Sequence, residues 1–506
     1  MQSINTSFPQ DFTNRMRAYL GDEFEEFIKE YDKPYVKSLR VNTLKISIDE
    51  CVRLISDYCG TECANASANT DFVPWERVGI YYDGSGDSLQ LDSPGKSPLH
   101  EAGAYYIQEA SAMVPVTLLD IDRDGLKVLD LCAAPGGKST QIAAYLKGRG
   151  LLVSNEIISS RADILSENIE RMGVKNALVI SEDPIGLSDR FAGFFDRILV
   201  DAPCSGEGMF RKHPEAMDEW SIENVRLCAN RQDMILDCAA KMLAPYGKIV
   251  YSTCTFSEEE DEGSMERFLE RHPEFSVCDA PCRLFPHKMR GEGHFAVSFT
   301  RSAEVDAAPA STGNVEKSVI SAANRTRKKS GKANTSVLDL DEAKILKAFI
   351  IETFPADSDI FGKIDSCLCK NMNDADNLVK LVRFGDSIYL APKELPETTG
   401  LKVKRAGLKL GEFKKNRFEP DHALAMALKP SEVLNYCSFA CNSEEIKEYL
   451  NGMTLSLPTA DADCSVKQIA GTKGWCLICV NGVSLGWGKI AGEMIKNHYP
   501  KGLRVH

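Results

Sequence analysis

The N-terminal part of the chain alternates between helical and strand-like hydrophobic patterns. Two groups of apolar side chains recur at helical spacing: Phe8, Phe12, Met16 and Leu20, then Phe24, Phe27 and Ile28. This spacing predicts two short amphipathic helices within residues 7–31. A strand-like run at 38–44 and a helical stretch at 48–58 follow, so residues 1–99 are predicted to form a small α+β module.

A different pattern occupies residues 100–302, where short apolar runs alternate with helical stretches. The runs read LKVLDL, LLVSNE, NALVIS, RILVDA and GKIVYST. Strands separated by helices are typical of a parallel, doubly wound sheet. We therefore predict an α/β fold with a Rossmann-like core in this region.

The rest of the chain divides where its composition changes. Residues 303–336 are rich in small and polar side chains and carry the basic run RTRKKSGK, which predicts a flexible linker, either a solvated tether or an arm that contacts RNA. Residues 337–395 have the pattern of a small α+β domain. A last domain is predicted at 396–506, where Asn481-Gly482 between two apolar runs indicates a hairpin.

Composition and charge narrow the class of protein. The 506 residues are 43% hydrophobic and carry 60 Lys+Arg against 73 Asp+Glu, a net charge of −13. This is the composition of a soluble globular protein, and it argues against a wholly basic nucleic-acid binder while leaving room for a local basic face. The 17 cysteines have no repeated spacing, no leader peptide is visible and no long apolar run occurs, so we expect a cytoplasmic protein with reduced thiols and no membrane segment.

A glycine-containing loop follows the first strand of the predicted core. It reads DLCAAPGGKS from Asp130 to Ser139, and Gly136 and Gly137 allow a tight turn and close approach to a ligand. A phosphate-binding Walker loop would need a glycine where Cys132 stands, and no G-x-G-x-x-G is present. The loop therefore suits a ligand that is not gripped by its phosphates.

Acidic residues follow the next strands and add to this loop. Glu156 ends the second strand, Asp183 follows the third and Asp201 ends the fourth. A carboxylate at the end of the second strand is placed to accept hydrogen bonds from ribose hydroxyls. The set fits a nucleoside without phosphates, and S-adenosylmethionine is such a ligand.

Two cysteines end neighbouring strands of the predicted sheet, Cys204 in DAPCSG and Cys254 in STCT. The carboxyl ends of parallel strands form the ligand crevice, so both thiols are expected beside the cofactor. Carbon 5 of cytosine is too weak a nucleophile to take a methyl group unaided, and a thiolate that adds to carbon 6 activates it. Asp201 could then bind the N3 and amino edge of the ring. Chemical reasoning alone does not decide which of the two thiols is the nucleophile.

The other cysteines are predicted to be inert small hydrophobes. Cys476 and Cys479 have the spacing of a zinc or redox pair, but no second pair accompanies them and alternate strand positions point to opposite faces. We expect no metal site.

The motifs DLCAAPGGKST, SNE, LVDAPCSGEGMFRK and YSTCT, in this order, closely resemble those of the S-adenosylmethionine-dependent RNA cytosine-5 methyltransferases of the Sun/RsmB/RsmF type. The segments RVN (40–42), YIQE (106–109) and MRGEGHF (289–295) resemble the RsmF branch, and LGWGK and KNHYPKG near the end resemble its PUA-like tail. The resemblance implies an N-terminal RRM-like or ferredoxin-like module and a C-terminal PUA-like module, both RNA-binding, around a Rossmann-like catalytic core.

The resemblance also implies residue roles. Cys254 would be the nucleophile at carbon 6, and Cys204 would assist release of the methylated RNA. The family's cofactor site corresponds to residues of the loop and of the three acidic positions: Cys132, Ala133, Ala134, Pro135, Gly136, Gly137, Lys138, Glu156, Asp183 and Asp201. Pro184 departs from the small or polar residue that the family often has there.

The implied substrate is small-subunit (16S) rRNA or the small ribosomal subunit, bound by a monomeric enzyme. Residues 402–417 carry seven Lys/Arg against one Glu and could anchor RNA, and Arg211, Lys212 and His213 could touch the target strand. Phe413 and Phe418 are expected in the core rather than as base-stacking platforms. A tRNA or large-subunit rRNA methyltransferase, and an RNA-binding ribosome-assembly factor without catalysis, remain alternatives.

Overall fold

The structure is a computed structural model that describes residues 8–59, 71–82, 94–302, 338–368, 378–458 and 466–504. The linker predicted at 303–336 lies outside these described residues. No helix in the described ranges is long and apolar enough to cross a membrane.

A three-stranded antiparallel sheet in the order β2-β1-β3 organises the N-terminal module. Its elements are α1 (Gln10–Leu20), α2 (Phe24–Lys29), β1 (Ser38–Val41), α3 (Ile48–Cys59), β2 (Gly79–Tyr81), α4 (Pro98–Glu101) and β3 (Tyr105–Ile107). The boundary predicted at 99/100 is wrong, because β3 pairs with β1 and places Ile107 opposite Leu39. A strand of three residues carries too little pattern to be assigned from sequence.

The first two helices are where the apolar spacing predicts them, but they do not pack on this small sheet. Phe12 lies 5.1 Å from Phe210, and Phe27 lies 5.4 Å from Phe256, ring centroid to ring centroid. Phe210 and Phe256 belong to the core loops that follow the two predicted catalytic cysteines. The amphipathic helices therefore cover the back of those loops.

The core sheet confirms the doubly wound prediction. Five parallel strands run in the order β8-β7-β4-β5-β6, and antiparallel β11 extends the sheet beside β8. The elements are α5 (Val114–Thr117), β4 (Lys127–Asp130), α6 (Gly137–Leu146), β5 (Leu151–Asn155), α7 (Ser159–Arg171), β6 (Ala177–Ile180), α8 (Pro184–Arg190), β7 (Phe195–Asp201), α9 (Ala216–Glu219), α10 (Ile222–Met242), β8 (Leu243–Thr253), α11 (Glu262–Arg271), β9 (Phe275–Val277), β10 (Cys282–Leu284) and β11 (His294–Arg301). Their apolar side chains are buried on both faces, as helices on both sides require.

The C-terminal part contains a four-stranded sheet, in the order β12-β13-β15-β16, and a six-stranded sheet, in the order β18-β22-β21-β20-β17-β19. The elements are α12 (Leu340–Thr353), α13 (Asp359–Leu368), β12 (Val379–Phe384), β13 (Ser387–Pro392), β14 (Val403–Ala406), β15 (Leu408–Lys414), β16 (Arg417–Pro420), α14 (His422–Met426), β17 (Tyr436–Phe439), α15 (Glu444–Leu450), β18 (Leu455–Ser456), β19 (Val466–Gln468), β20 (Lys473–Val480), β21 (Val483–Ala491) and β22 (Met494–Asn497).

The boundary predicted at 395/396 is also wrong. β15 pairs with β13, so one sheet takes strands from both sides of that boundary, while β14 pairs with β6 at the edge of the core sheet. Partner choice between strands depends on contacts distant in sequence, which local pattern does not contain. The hairpin prediction is confirmed: Asn481 and Gly482, with φ of 46° and 83°, join β20 to β21.

The terminal modules pack against each other as well as against the core. One apolar cluster joins Leu39 and Tyr105 of the N-terminal sheet to Phe439, Ile478 and Tyr499 of the last domain. The fully buried Arg40 donates hydrogen bonds to Gln108 and to Thr140 of α6, both at 2.8 Å. The segments RVN and YIQE thus fix the N-terminal module on the helix that begins at the glycine loop.

Candidate active site

The strand order creates a crevice beside β4. The chain passes from β4 through β5 to β6 and then returns to the other side of β4 for β7 and β8. Neighbouring crossovers therefore leave in opposite directions, and ligands of open α/β sheets bind at this position, outside the carboxyl ends of the strands. Asp130, Asn155 and Asp201 end the three central strands there.

The glycine loop turns directly from β4 into α6. Gly136 has φ of 115°, which favours glycine, and a Cβ there would lie 3.1 Å from Cδ1 of Leu165. Beneath the loop, the buried carboxyl group of Asp130 accepts a hydrogen bond of 2.7 Å from Ser139, and burial raises its pKa to about 7. Ala133, Pro135, Gly136 and Gly137 form the turn itself, held by the bond from Ala133 N–H to Asn155.

A cavity of about 650 Å³ opens in front of this loop, within the usual range for small-molecule sites. The residues that line it include seven of those predicted for the site: Cys132, Ala134, Glu156, Asp183, Asp201, Cys204 and Cys254. The Glu156 carboxylate is 4% exposed, accepts a bond of 3.0 Å from Ile158 N–H and lies 3.6 Å from Arg161. Burial raises the pKa of the Cys132 thiol, so Cys132 lines the cavity as an uncharged thiol.

Asp183 begins a helix at the edge of the cavity. Its carboxylate caps α8 by accepting a hydrogen bond of 3.0 Å from Ile185 N–H, and Pro184 occupies the first helical position, where the missing N–H costs nothing. Pro184 therefore fits the local backbone.

Asp201 is the centre of a charged network. Its Oδ2 lies 2.8 Å from Lys138 Nζ, and its Oδ1 accepts a hydrogen bond of 2.8 Å from Ser252 and lies 3.5 Å from Nε2 of His294. Burial by itself would raise the pKa of Asp201, but the Lys138 ammonium outweighs it and holds the pKa below its usual range. Asp201 is therefore a carboxylate, and Lys138 bonds to this carboxylate across the end of the sheet.

The two thiols lie together at the same end of the cavity. β7 and β8 pair in parallel, with Asp201 opposite Ser252, so the loops after them run side by side. The Sγ atoms of Cys204 and Cys254 are 3.3 Å apart. The contact with Cys254, together with burial, raises the pKa of Cys204 well above its usual value, so Cys204 is a neutral thiol.

A buried carboxyl group supports the loop that carries Cys204. Oε2 of Glu260 accepts hydrogen bonds of 2.9 Å from Ser205 N–H and from Gln232, while Oε1 has no partner among the described residues. Burial raises the pKa of Glu260 to about 7. Sequence reasoning missed Glu260 and also His294, although the segment MRGEGHF was noted and His294 is its sixth residue.

One of the three residues predicted to touch the target strand, Arg211, has a structural role. Arg211 is buried and forms a bidentate ion pair with Glu292, at 2.7 and 2.8 Å. Glu292 N–H in turn donates to Glu109, which ties the YIQE and MRGEGHF segments together. His213 faces solvent beside Glu215.

The basic segment 402–417 is also largely neutralised. Five of its seven cationic side chains form ion pairs with nearby carboxylates: Lys404–Asp163, Arg405–Glu170, Lys409–Asp421, Lys414–Glu412 and Arg417–Glu419. Most of the charge of this stretch is therefore balanced within the fold, and RNA anchoring by the stretch stays a prediction. Phe413 and Phe418 are buried, with ring centroids 5.3 Å apart, which confirms their core assignment.

Cys476 and Cys479 lie in different apolar clusters, on the two faces of the last sheet. This confirms the prediction that their side chains point apart.

The sheet order, the glycine loop and the acidic strand ends define the core as a Rossmann-like methyltransferase fold. A solved methyltransferase homolog protein from Pyrococcus horikoshii superposes on it with a TM-score of 0.51 and 25% identity, covering 59% of this chain and 97% of that one. NSun6 from the same organism, solved with SFG, shares the fold at 22% identity.

Family comparisons identify the particular group. Residues 116–308 match the 16S rRNA methyltransferase RsmB/F model, 8–110 the N-terminal domain of 16S rRNA methyltransferase RsmF, 369–428 its first C-terminal domain and 437–505 the RsmF PUA domain. Ribosomal RNA small subunit methyltransferase F of Erwinia tasmaniensis is 31% identical over 98% of this chain and 96% of its own length, and that of Aeromonas salmonicida is 32% identical over 99% and 98%. The chain belongs to the RsmB/F family of 16S rRNA methyltransferases.

Proposed function

We propose that this protein transfers the methyl group of S-adenosylmethionine to carbon 5 of a cytosine in 16S rRNA, through a covalent adduct between Cys254 and carbon 6. The observation that carries the proposal is the pair of thiols, 3.3 Å apart, at the end of the cavity beside the ionised Asp201. The relatives that match over almost the whole chain are named small subunit rRNA methyltransferases, which supports the choice of substrate.

The cavity fits the cofactor. Glu156 offers a buried carboxylate to a ribose diol, and Ile157 and Ile185 line the same cavity although each is more than half exposed, as an apolar wall for a flat base would be. Cys132 and Ala134 border the cavity from the glycine loop, and Asp183 lies at its edge. S-adenosylmethionine would supply an electrophilic methyl group there.

Each catalytic residue then has a separate task. Cys254 adds through sulfur to carbon 6, which makes carbon 5 nucleophilic. Asp201, held as a carboxylate by Lys138, binds the N3 and amino edge of the ring. After methyl transfer the carbon-5 proton leaves to solvent, and the electron pair of its C–H bond re-forms the C5=C6 bond as the Cys254 sulfur leaves carbon 6. Cys204, a neutral thiol in contact with Cys254, donates a hydrogen bond to the departing sulfur. The target cytosine must be unpaired or flipped out to reach these groups.

Covalent trapping tests the proposal. Cys204→Ser protein is incubated with S-adenosylmethionine and either naked 16S rRNA, assembled small subunits or tRNA, and adducts are detected on a denaturing gel and sequenced. We expect an adduct with a 16S cytosine that disappears in the Cys204→Ser/Cys254→Ala double variant. An adduct formed only by the Cys254→Ala single variant would mean that the two thiols have opposite roles, and an adduct with tRNA alone would overturn the substrate assignment.

Calorimetry tests the cofactor site separately. Glu156→Ala should weaken S-adenosylmethionine binding by about 1–3 kcal/mol, because hydrogen-bonded groups lose their partner. Glu167→Ala, which removes an exposed carboxylate from the neighbouring helix α7, is the matched control. Equal affinity of the Glu156 variant and the control would contradict the ribose role.

A further inference from the structure

His294 is a buried imidazole with an unused nitrogen in the catalytic network. It is 3% exposed at the start of β11, and its Nε2 has no hydrogen-bond partner among the described residues. Oδ1 of Asp201 lies 3.5 Å from this nitrogen, which is too long for a good hydrogen bond. A buried polar atom without a partner is costly, so a fold that only needed packing would gain from an apolar side chain here.

Strand pairing puts His294 next to the nucleophile. In the β8–β11 pair, Phe295 is opposite Thr253 and Ala296 is opposite Ser252. The next register position after Phe295 and Thr253 is His294 and Cys254. Alternation along a strand keeps residues 252 and 254 on one face, and Ser252 bonds to Asp201 from that face. His294 therefore occupies the sheet face and the register position of Cys254.

The covalent mechanism needs an acceptor for the proton of the Cys254 thiol, because only the thiolate attacks. The groups around Asp201 are poor acceptors. Lys138 is already protonated, since its pKa is raised by Asp201 despite burial, and the pKa of Asp201 is lowered. Cys204 is itself a thiol. Burial and Lys138 lower the pKa of His294, against the opposing effect of Asp201 and Glu109, so its imidazole is neutral and free to accept.

We propose that His294 accepts the Cys254 thiol proton as the sulfur adds to carbon 6. The S–H bond breaks and an N–H bond forms on His294, while the S–C6 bond forms and the electron pair of the C5=C6 bond moves to carbon 5. The adduct then carries one negative charge, which is available to carbon 5 for methyl transfer. The imidazolium carries the matching positive charge beside the Asp201 carboxylate.

The inference rests on the proposed cytosine-5 function, so the experiment measures adduct formation directly. In Cys204→Ser protein with S-adenosylmethionine and 16S rRNA, the adduct rate is followed from pH 5.5 to 8.5 with and without His294→Ala. We expect the alanine variant to form the adduct about 100-fold more slowly, the loss typical of a general base, and imidazole added to the solution to restore about tenfold. The adduct rate of the alanine variant should rise more steeply with pH than the rate with His294, because hydroxide must then take the thiol proton, and added imidazole should flatten this rise.

Three variants separate this role from a structural one. His294→Gln keeps a donor near Asp201 but cannot carry a proton, so it should remain slow. His422→Ala removes another buried histidine, whose Nδ1 also has no hydrogen-bond partner among the residues that the structure describes, and imidazole should not change its adduct rate. Cofactor affinity should stay within about twofold in the His294 variants, since His294 does not line the cavity.

The outcomes are distinguishable. If Cys204→Ser protein with His294 intact gives no adduct, the proposed function fails and the inference with it. If the adduct forms and His294→Ala forms it as fast, or His294→Gln restores the rate, His294 is not the proton carrier. If the steeper pH dependence appears with Glu260→Gln and not with His294→Ala, the carboxyl group beside Cys204 accepts the proton instead.

Discussion

The catalytic crevice and the basic segment 402–417 differ in whether their polar and charged groups have partners. In the crevice, three buried polar atoms have no hydrogen-bond partner within the part of the chain that the structure describes: Nε2 of His294, Oε1 of Glu260 and Oδ1 of Asp130. In the basic segment, five of seven cations are paired with carboxylates. The unpartnered groups of the crevice lower the stability of the fold but can still bind or take a proton from a ligand. The paired cations of the basic segment stabilise the fold through their ion pairs. A count of charges along the sequence does not separate the two.

The largest effect should come from the crevice. Cys254→Ala should abolish methyl transfer to 16S rRNA while cofactor affinity stays within about twofold, because covalent activation of the ring is lost entirely. Cys228→Ala, at a buried cysteine on α10, is the matched control for thiol removal and should keep its activity. Methyl incorporation and calorimetry check both, and residual turnover by the Cys254 variant would remove the nucleophile assignment.

The next effect concerns stability in the basic segment. Arg405→Met leaves Glu170, whose side chain is 23% exposed, without its cation and should lower the free energy of unfolding by about 3–5 kcal/mol, as measured in urea. The double variant Arg405→Met/Glu170→Met should recover much of that loss. RNA affinity of the folded variant should not change, and a selective loss of RNA binding without destabilisation would show that Arg405 serves the ligand.

A smaller effect is expected on the pH dependence of stability, and it comes from the buried carboxyl group of Glu260 in the crevice. The pKa of Glu260 is raised from 4.5 to about 7, so between these values the folded chain binds more protons than the unfolded chain, and stability falls as pH rises. Across this range the natural protein should lose up to about 3 kcal/mol more than Glu260→Gln. Asp130 has a similarly raised pKa but is present in both proteins, so it cancels. Parallel pH profiles from urea unfolding would contradict this assignment.

The smallest effect tests what remains of the basic segment as an RNA contact. Lys402 and Lys415 are its two exposed cations without an ion pair among the described residues. Lys402→Ala/Lys415→Ala should reduce the slope of log affinity against log salt by about 1 to 2. Lys414→Ala/Arg417→Ala, which removes two paired cations, should leave the slope nearly unchanged. Equal slopes for the two double variants would contradict the claim that unpaired cations contact RNA and paired cations do not.

The local pattern of apolar and polar residues was sufficient to predict most strands of the core. The five apolar runs became the five parallel strands, and the positions of Cys204 and Cys254 after β7 and β8 followed from them. It failed for β3 and β14, which are short strands whose partners are distant in sequence. It also failed for Arg211 and Lys404, because a cation that will be neutralised inside the fold and one that will meet RNA have the same side chain.

The sequence by itself determined the doubly wound core, the turn at the glycine loop, the acidic strand ends and the two thiols, since each depends on residue type and spacing along a few neighbouring residues. Only the tertiary structure decided which polar groups remain unpaired. Lys138 is neutralised by Asp201 and Arg405 by Glu170, while Nε2 of His294 finds no hydrogen-bond partner in the described ranges. Those outcomes depend on distances between residues dozens to more than two hundred positions apart, which the packing of the modules sets.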